Sequence, residues 1–325
     1  MSLQIFTDSS ANLPEELLKQ RHIQVVTLTV LVNGEELLCY EPDSHFDGNA
    51  FYERMRKDDR LELKTSMINT ITFIDAFTPA LQAGDDVIYI AMSSGISGTY
   101  ASGRSAAFML HETFPDRTIL AVDTLAASMG EGLQVLEAAD MRDRGCSAAE
   151  ILAYLETRRV SIRQHFLVDD LMFLKRGGRI SGTAALAGTI MNIKPIMKAD
   201  ACGRIVLDRK VLGRKKALNA LADIFDAYHV DAPENCNAAI AHGGCEDDAL
   251  SVAVAIKKRH PEMKFTIVCY EPGTGAHVGP GTVALFFWGE ERAQKEPVLP
   301  NIRAKIVNEA DAIRNELHNK LHHED

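Results

Sequence analysis

Short apolar runs and amphipathic segments alternate along this chain. The apolar runs at 3–7, 87–91 and 118–122 read as buried strands, and 24–32, rich in β-branched residues, reads as a strand that meets Asn33-Gly34, a strong two-residue hairpin turn. Between them, 51–56, 71–83, 101–114 and 128–144 carry helical periodicity, and Ser147 to Glu150 forms a capping box that opens a helix through about Leu155. Asn12 is placed to cap a helix that has Pro14, Glu15 and Glu16 in its first turn. Strand and helix thus alternate through the first half, which predicts a mainly parallel sheet with helices on its faces.

The pattern changes near 158–164. Short strands follow at 165–168, 194–197, 204–207, 238–241, 265–269 and 283–287, with helices at 169–175, 213–228 and 247–258, so the second half reads as mixed α/β. The segment 182–192 is apolar nearly all round and therefore predicts a buried helix, packed against another helix or along a long apolar ligand. The basic run Arg214-Lys215-Lys216 opens a helix at the end that disfavours positive charge, so it reads as a solvated face or as a contact to a partner or phosphate. Three units are expected: an N-terminal α/β domain over 1–160, a second α/β domain over 161–290, and a linker with a polar C-terminal helix over 291–325 whose apolar stripe suits docking or self-association.

Hydroxyls gather where strands give way to helices. Ser93-Ser94-Gly95-Ile96-Ser97-Gly98-Thr99 lies between the 87–91 strand and the 101–114 helix, where unpaired helix N–H groups favour an anion. The turn contains no lysine and no acid or base, so it suits recognition of a carboxylate or phosphate without chemistry, or simple capping. Thr65-Ser66 reads as an N-cap pair, and Ser9, Ser10 and Asn12 as caps or ligand contacts at the end of the first strand. The glycine-rich stretch 273–282 opens a strand and matches no nucleotide-binding fingerprint; His277 is its only ionisable side chain.

Composition narrows the classes. The chain has 325 residues, 46% hydrophobic and 25% charged, enough for a large core in two domains. Its net charge of −10 argues against nonspecific binding to nucleic acid or to an anionic membrane. No apolar run approaches a membrane span, and the N-terminus lacks a signal layout, so a cytoplasmic protein is expected. Six cysteines without a C-x-x-C pair point to reduced thiols, and neither a metal site nor a cofactor is expected.

Several motifs occur together and in order: Asp8-Ser9-Ser10-Ala11, Thr65-Ser66, Ser93-Ser94-Gly95-Ile96-Ser97-Gly98-Thr99-Tyr100, Val168-Asp169-Asp170-Leu171, Gly177-Gly178-Arg179-Ile180-Ser181, Asn192-Ile193-Lys194-Pro195-Ile196 and His277-Val278-Gly279-Pro280-Gly281. Over about 3–288 the chain resembles the DegV family. The resemblance implies a two-domain α/β fold with a long-chain fatty acid such as palmitate or oleate held between the domains. It also implies a carrier without catalysis of its own, which in some members presents the carboxylate to the catalytic subunit of a bacterial fatty acid kinase. Two positions depart from the family pattern. Met67-Ile68-Asn69 follow Thr65-Ser66 where Gln-Pro is usual, and Leu212 stands where kinase-serving members carry arginine.

By the same resemblance the carboxylate falls to Thr65, Ser94 and His277, with Ser93 and Ser66 beside them. Ser9, Ser10, Gly95, Gly178, Arg179, Ile180, Ile190 and Gly279 are implied in the surrounding loops and tunnel wall. Hydroxyl and N–H donors suit a carboxylate that must later react, since they neutralise it without a tight ion pair; His277 would add a hydrogen bond and, if protonated, a charge. The alternatives are a stand-alone small-molecule kinase or hydrolase that uses the glycine-rich loops, a lipid-responsive regulatory module, and acyl transfer by a serine. The last lacks a G-x-S-x-G elbow and an acid placed to orient His277.

Overall fold

A computed structural model describes residues 2–44, 46–58, 60–180 and 192–292. The expected helix at 182–192, with Ile190, lies outside these residues except for Asn192, and the C-terminal helix at 302–321 lies wholly outside them.

The first sheet is parallel throughout. Its four strands run in the order Ile23–Val26, Leu3–Asp8, Asp86–Ala91, Ile119–Asp123. Five of the six residues in Asp86–Ala91 are buried, the near-continuous apolar run that a strand covered on both faces requires. Helices Thr70–Gln82 and Thr99–Thr113 pack against each other and on this strand.

The second sheet is mixed and has six strands, ordered Ile205–Leu212, Ile193–Ala199, Ile162–Leu167, Val283–Trp288, Asn237–His242, Lys264–Cys269. Val283–Trp288 runs antiparallel to both neighbours, while the last two strands are parallel to each other. Helices Arg214–Tyr228 and Glu246–Lys257 cover one face of this sheet, burying Leu221, Phe225, Val252 and Ile256 against it. The other face, with Phe166, Phe286 and Met197, shares a core with the first sheet.

Helix Met129–Asp143 touches strands of both sheets, and two glycines allow the close approach. A Cβ on Gly132 would come 2.7 Å from the Ala11 carbonyl oxygen, and one on Gly130 would come 2.9 Å from Gln164 Oε1. Arg292, 4% exposed, ties the same seam together by donating to the carbonyls of Leu125, Arg159, Val160 and Asp200.

A three-stranded antiparallel sheet, Glu35–Leu38, Thr29–Val32, Leu63–Ser66, completes the fold. The Asn33-Gly34 hairpin forms as expected, with φ of 53° and 88° at its two positions.

Several local expectations are corrected. The run at 24–32 splits into two strands belonging to different sheets. Thr65 and Ser66 lie on a strand, and the cap of the next helix is Asn69, whose side chain accepts from the Thr72 N–H. Asn12 caps no α-helix: at φ 58° it ends a 3-10 turn, and its amide bridges to the Cys269 carbonyl and the Glu271 N–H. The glycine-rich stretch begins with a helix, Pro272–Val278, because Glu271 accepts from the N–H groups of Gly273 and Thr274 at its start. Arg214 is paired with Asp169 and Asp248. The capping box at Ser147 and Glu150 is present as read.

Candidate functional site

A cleft between the sheets encloses about 920 Å³ of space unoccupied by protein atoms, part of it open to solvent. Its walls are mostly apolar, with Phe166, Leu174, Ile205 and Phe286 among them.

Polar groups converge at one place. Thr65 comes from the strand Leu63–Ser66, and His277 from the helix Pro272–Val278. The Thr65 hydroxyl and His277 Nε2 are 2.8 Å apart. Arg179 enters from the turn after Met172–Arg176 and donates to the Gly177 carbonyl. It has no acidic partner among the described residues, and a guanidinium keeps its charge even when half-buried. Gly177 lies so close on the imidazole that a Cβ there would overlap His277 Nδ1, which makes glycine a steric requirement at this position.

Burial, and secondarily the charge of Arg179, pushes the His277 pKa down to about 4. The ring on its own is therefore neutral at physiological pH. The cluster presents one cation, a hydroxyl and a neutral imidazole. That combination offers a carboxylate one ion pair and hydrogen bonds from neutral donors.

Of the residues singled out from sequence, Thr65, Ser66, Arg179 and His277 line the cleft. Ser93 and Ser94 do not. The Ser93 hydroxyl is fully buried, donating to the Gly203 carbonyl and accepting from the Gly95 N–H, while the Ser94 side chain is exposed. Gly95 packs on the 200–204 hairpin, where a Cβ would come 2.5 Å from the Cys202 carbonyl oxygen. Ser97 is the hydroxyl of this turn that reaches the cleft. Ser9 accepts from the Leu28 N–H, and Ser10 sits between the carboxylates of Asp8 and Glu131. Ile180 is buried in the core, and Gly178 and Gly279 have φ of 71° and 80° in turns, with Gly279 against Phe173.

Sequence reading missed Ser97, Thr274, Ser128, Gln164 and Tyr270 as lining residues. Thr274 stands one helical turn before His277, a relation hidden while the stretch read as loop. Ser97 sits two residues before the helix, where a serine looks like an ordinary cap; its hydroxyl does accept from the Thr99 N–H.

Among the described residues no three metal-ligating side chains converge, and no helix is long and apolar enough to cross a membrane. A parallel sheet flanked by helices and a second mixed sheet have between them an apolar cleft with one cationic, hydroxyl-bearing end. The model of the DegV family matches residues 2–290, and the chain belongs to that family.

A DegV domain-containing protein of Clostridium perfringens is 37% identical over 293 residues, covering 90% of this chain and 98% of the relative. The DegV protein of Bacillus subtilis is 30% identical over 290 residues, covering 88% and 98%. Among solved structures, a DegV family protein from Thermus thermophilus described for its fatty acid binding superposes with a TM-score of 0.78 at 29% identity, covering 89% of this chain and all of the other. The Bacillus subtilis DegV structure, described as a fatty acid binding protein, gives 0.75 at 28% identity with 89% and 100% coverage.

Proposed function

We propose that this chain is a cytoplasmic carrier that binds a long-chain fatty acid, such as palmitate or oleate, in the cleft between its sheets. The observation that carries this reading is the Thr65–His277–Arg179 cluster at a cavity that is otherwise mostly apolar. Each methylene buried there contributes about 0.8 kcal/mol, so the chain supplies most of the affinity and the polar cluster fixes which end of the ligand sits where. The fatty acid binding described for the structures from Thermus thermophilus and Bacillus subtilis supports the same ligand class.

The carrier presents the carboxylate to a separate enzyme, the catalytic subunit of a fatty acid kinase. No carboxylate among the described residues orients His277 as a base, which supports carriage over catalysis. Native mass spectrometry of the purified protein, followed by denaturing extraction, tests the ligand. A fatty acid released in stoichiometric amount is expected; an empty protein that also fails to take up palmitate or oleate overturns the reading. Acyl phosphate formed from the loaded protein by a kinase subunit and ATP tests the partnership, and ATP turnover by this chain alone would refute it.

A further inference from the structure

The hairpin that joins Ile193–Ala199 to Ile205–Leu212 reaches from the edge of the second sheet across to the first. Ala199, Gly203 and Ile205 line the cleft, so the hairpin forms one of its walls. Among the described residues Ile205–Leu212 pairs only with Ile193–Ala199, which leaves this wall without a strand on its outer side. The tip itself is stiff, because the Asp200 carboxylate accepts from the N–H groups of Cys202 and Arg204 and pairs with the Arg204 side chain. A tip braced in this way moves as one piece, and the contacts it makes across the cleft decide how often it does.

Two polar contacts cross to it among the described residues. The Ser93 hydroxyl donates to the Gly203 carbonyl at 2.9 Å, and the Arg292 guanidinium donates to the Asp200 carbonyl at 2.7 Å. Otherwise the tip is seated by shape, with the Gly95 and Gly203 backbones too close to their neighbours to admit a side chain. Arg292 also donates to the carbonyls of Leu125, Arg159 and Val160. It thus joins three segments: the turn after Ile119–Asp123, the connection into the second sheet, and the hairpin tip. Burial pushes its pKa down to about 10, so the guanidinium keeps its charge at neutral pH, yet among the described residues no carboxylate pairs with it. A buried charge answered only by carbonyls is a costly way to fill space. What it does that an apolar side chain cannot is tie three separate backbones at one point. Arg292 also lies past the residues 2–290 that the family model matches, so the tie belongs to this chain and not to the matched pattern.

We infer that Arg292 is a positioning residue of the carrier: it holds the 200–204 tip closed against the first sheet and so sets how fast a fatty acid enters and leaves the cleft. Arg292 does not line the cleft, and neither does Ser93. The closing bonds are therefore the same in the empty and the loaded protein, and weakening them changes the rate of opening without favouring either state. The inference rests on the fatty acid reading above and adds the element that controls exchange.

Stopped-flow binding of cis-parinaric acid, a fluorescent fatty acid, to the full chain tests it, with association and release measured separately in Arg292→Gln and Ser93→Ala. Arg292→Gln, which loses a charge-assisted bond, is expected to speed both association and release about tenfold, and Ser93→Ala, which loses a neutral one, about threefold. The affinity, as the ratio of the two rates, should stay within about twofold of the parent, because neither side chain touches the ligand. A merely structural role would speed release, leave association unchanged and lose affinity in full; that result in Arg292→Gln overturns the inference, as do rates equal to those of the parent. If Arg292→Gln does not fold, Ser93→Ala decides by the same criteria. Failure of the unsubstituted chain to bind parinarate at all overturns the fatty acid reading itself, whereas binding with unaltered rates in the variants overturns only the role of Arg292.

Discussion

The imidazole Nε2 of His277 stands 2.8 Å from the hydroxyl oxygen of Thr65, although the two are 212 residues apart in sequence. One comes from an edge strand of the small antiparallel sheet and the other from a helix capped by Glu271, so their meeting joins two elements distant in sequence in the wall of the cleft.

Thr65→Val keeps the shape of the side chain and removes the hydroxyl. A hydrogen bond to a charged group contributes about 1.5–3 kcal/mol, and each 1.4 kcal/mol is tenfold, so fatty acid affinity should fall by roughly ten- to a hundredfold. Titration calorimetry with palmitate checks this, with the melting temperature of the unliganded variant confirming that the fold survives. An affinity unchanged from the parent would remove Thr65 from the carboxylate site.

His165 gives a pH dependence with a definite sign. It is 2% exposed, neither ring nitrogen has a hydrogen-bond partner among the described residues, and burial pushes its pKa down to about 3. An unfolded histidine titrates near 6.5. The contribution of neutral His165 is therefore fully present above pH 6.5 and is lost as the pH falls toward 3, because the unfolded chain takes up a proton that the folded one refuses. Between pH 7 and pH 5 this amounts to about 2 kcal/mol. His165→Phe keeps a ring to stack on Tyr228 and should remove that loss, as read from urea unfolding at the two pH values.

Glu131 titrates in the opposite sense. Thr7 has one hydroxyl proton and two oxygen neighbours, the Ile90 carbonyl and Glu131 Oε1, both at 2.9 Å. One hydroxyl proton cannot serve both neighbours, and a proton on the Glu131 carboxyl group would complete the pairing. Burial pushes the Glu131 pKa well above the usual carboxylate range, with the neighbouring Asp8 as the next cause. Asp8 accepts from Ser10 N–H and Oγ, Tyr89 and Met92, which favours leaving the charge there. As pH rises above the unfolded value near 4.3, the unfolded chain loses a proton that the folded protein keeps, and stability falls by up to about 1.4 kcal/mol per pH unit. Glu131→Gln should therefore gain on the parent protein between pH 5 and pH 8 in chemical denaturation, and a difference independent of pH would refute the protonated carboxyl.

What was legible in the sequence follows from range. Alternating apolar runs and local caps gave the first parallel sheet, the Asn33-Gly34 hairpin and the Ser147–Glu150 capping box, because each depends on residues a few positions apart. The split of 24–32 into two sheets was not legible, since β-branched residues favour strand without saying which partner they meet. In the candidate site, the hydroxyl of the motif's turn that lines the cleft is Ser97, not Ser93 or Ser94. Ser93, Ser94 and Ser97 are chemically alike in sequence, and only the contact between Ser93 and Gly203 shows which of them is already occupied. Ser128 was hidden because a serine before a helix looks like a cap until its dihedral angles are known.

Gly203 carries the last prediction. The hairpin at 200–204 meets the turn at 93–97 through the bond from Ser93 Oγ to the Gly203 carbonyl, 2.9 Å, and Gly203 also lines the cleft. Its φ is 69°, and a Cβ there would overlap Ser93 Oγ and come 2.9 Å from Leu125 Cα. Gly34 has a comparable φ of 88° but nothing within 4 Å of its absent Cβ. Alanine at Gly34 therefore meets only the left-handed backbone cost of about 1–2 kcal/mol. At Gly203 the same cost is joined by displacement of the Leu125 backbone and loss of the serine hydrogen bond, the latter alone about 0.5–1.5 kcal/mol. Gly203→Ala should thus destabilise by at least about 1 kcal/mol more than Gly34→Ala in parallel denaturation curves. It should also reduce the stabilisation that added palmitate gives, whereas Gly34→Ala, on a hairpin turn whose two residues do not line the cleft, should leave that stabilisation in place. Equal losses in the two variants would show that the Ser93–Gly203 seam contributes nothing to holding the sheets around the cleft.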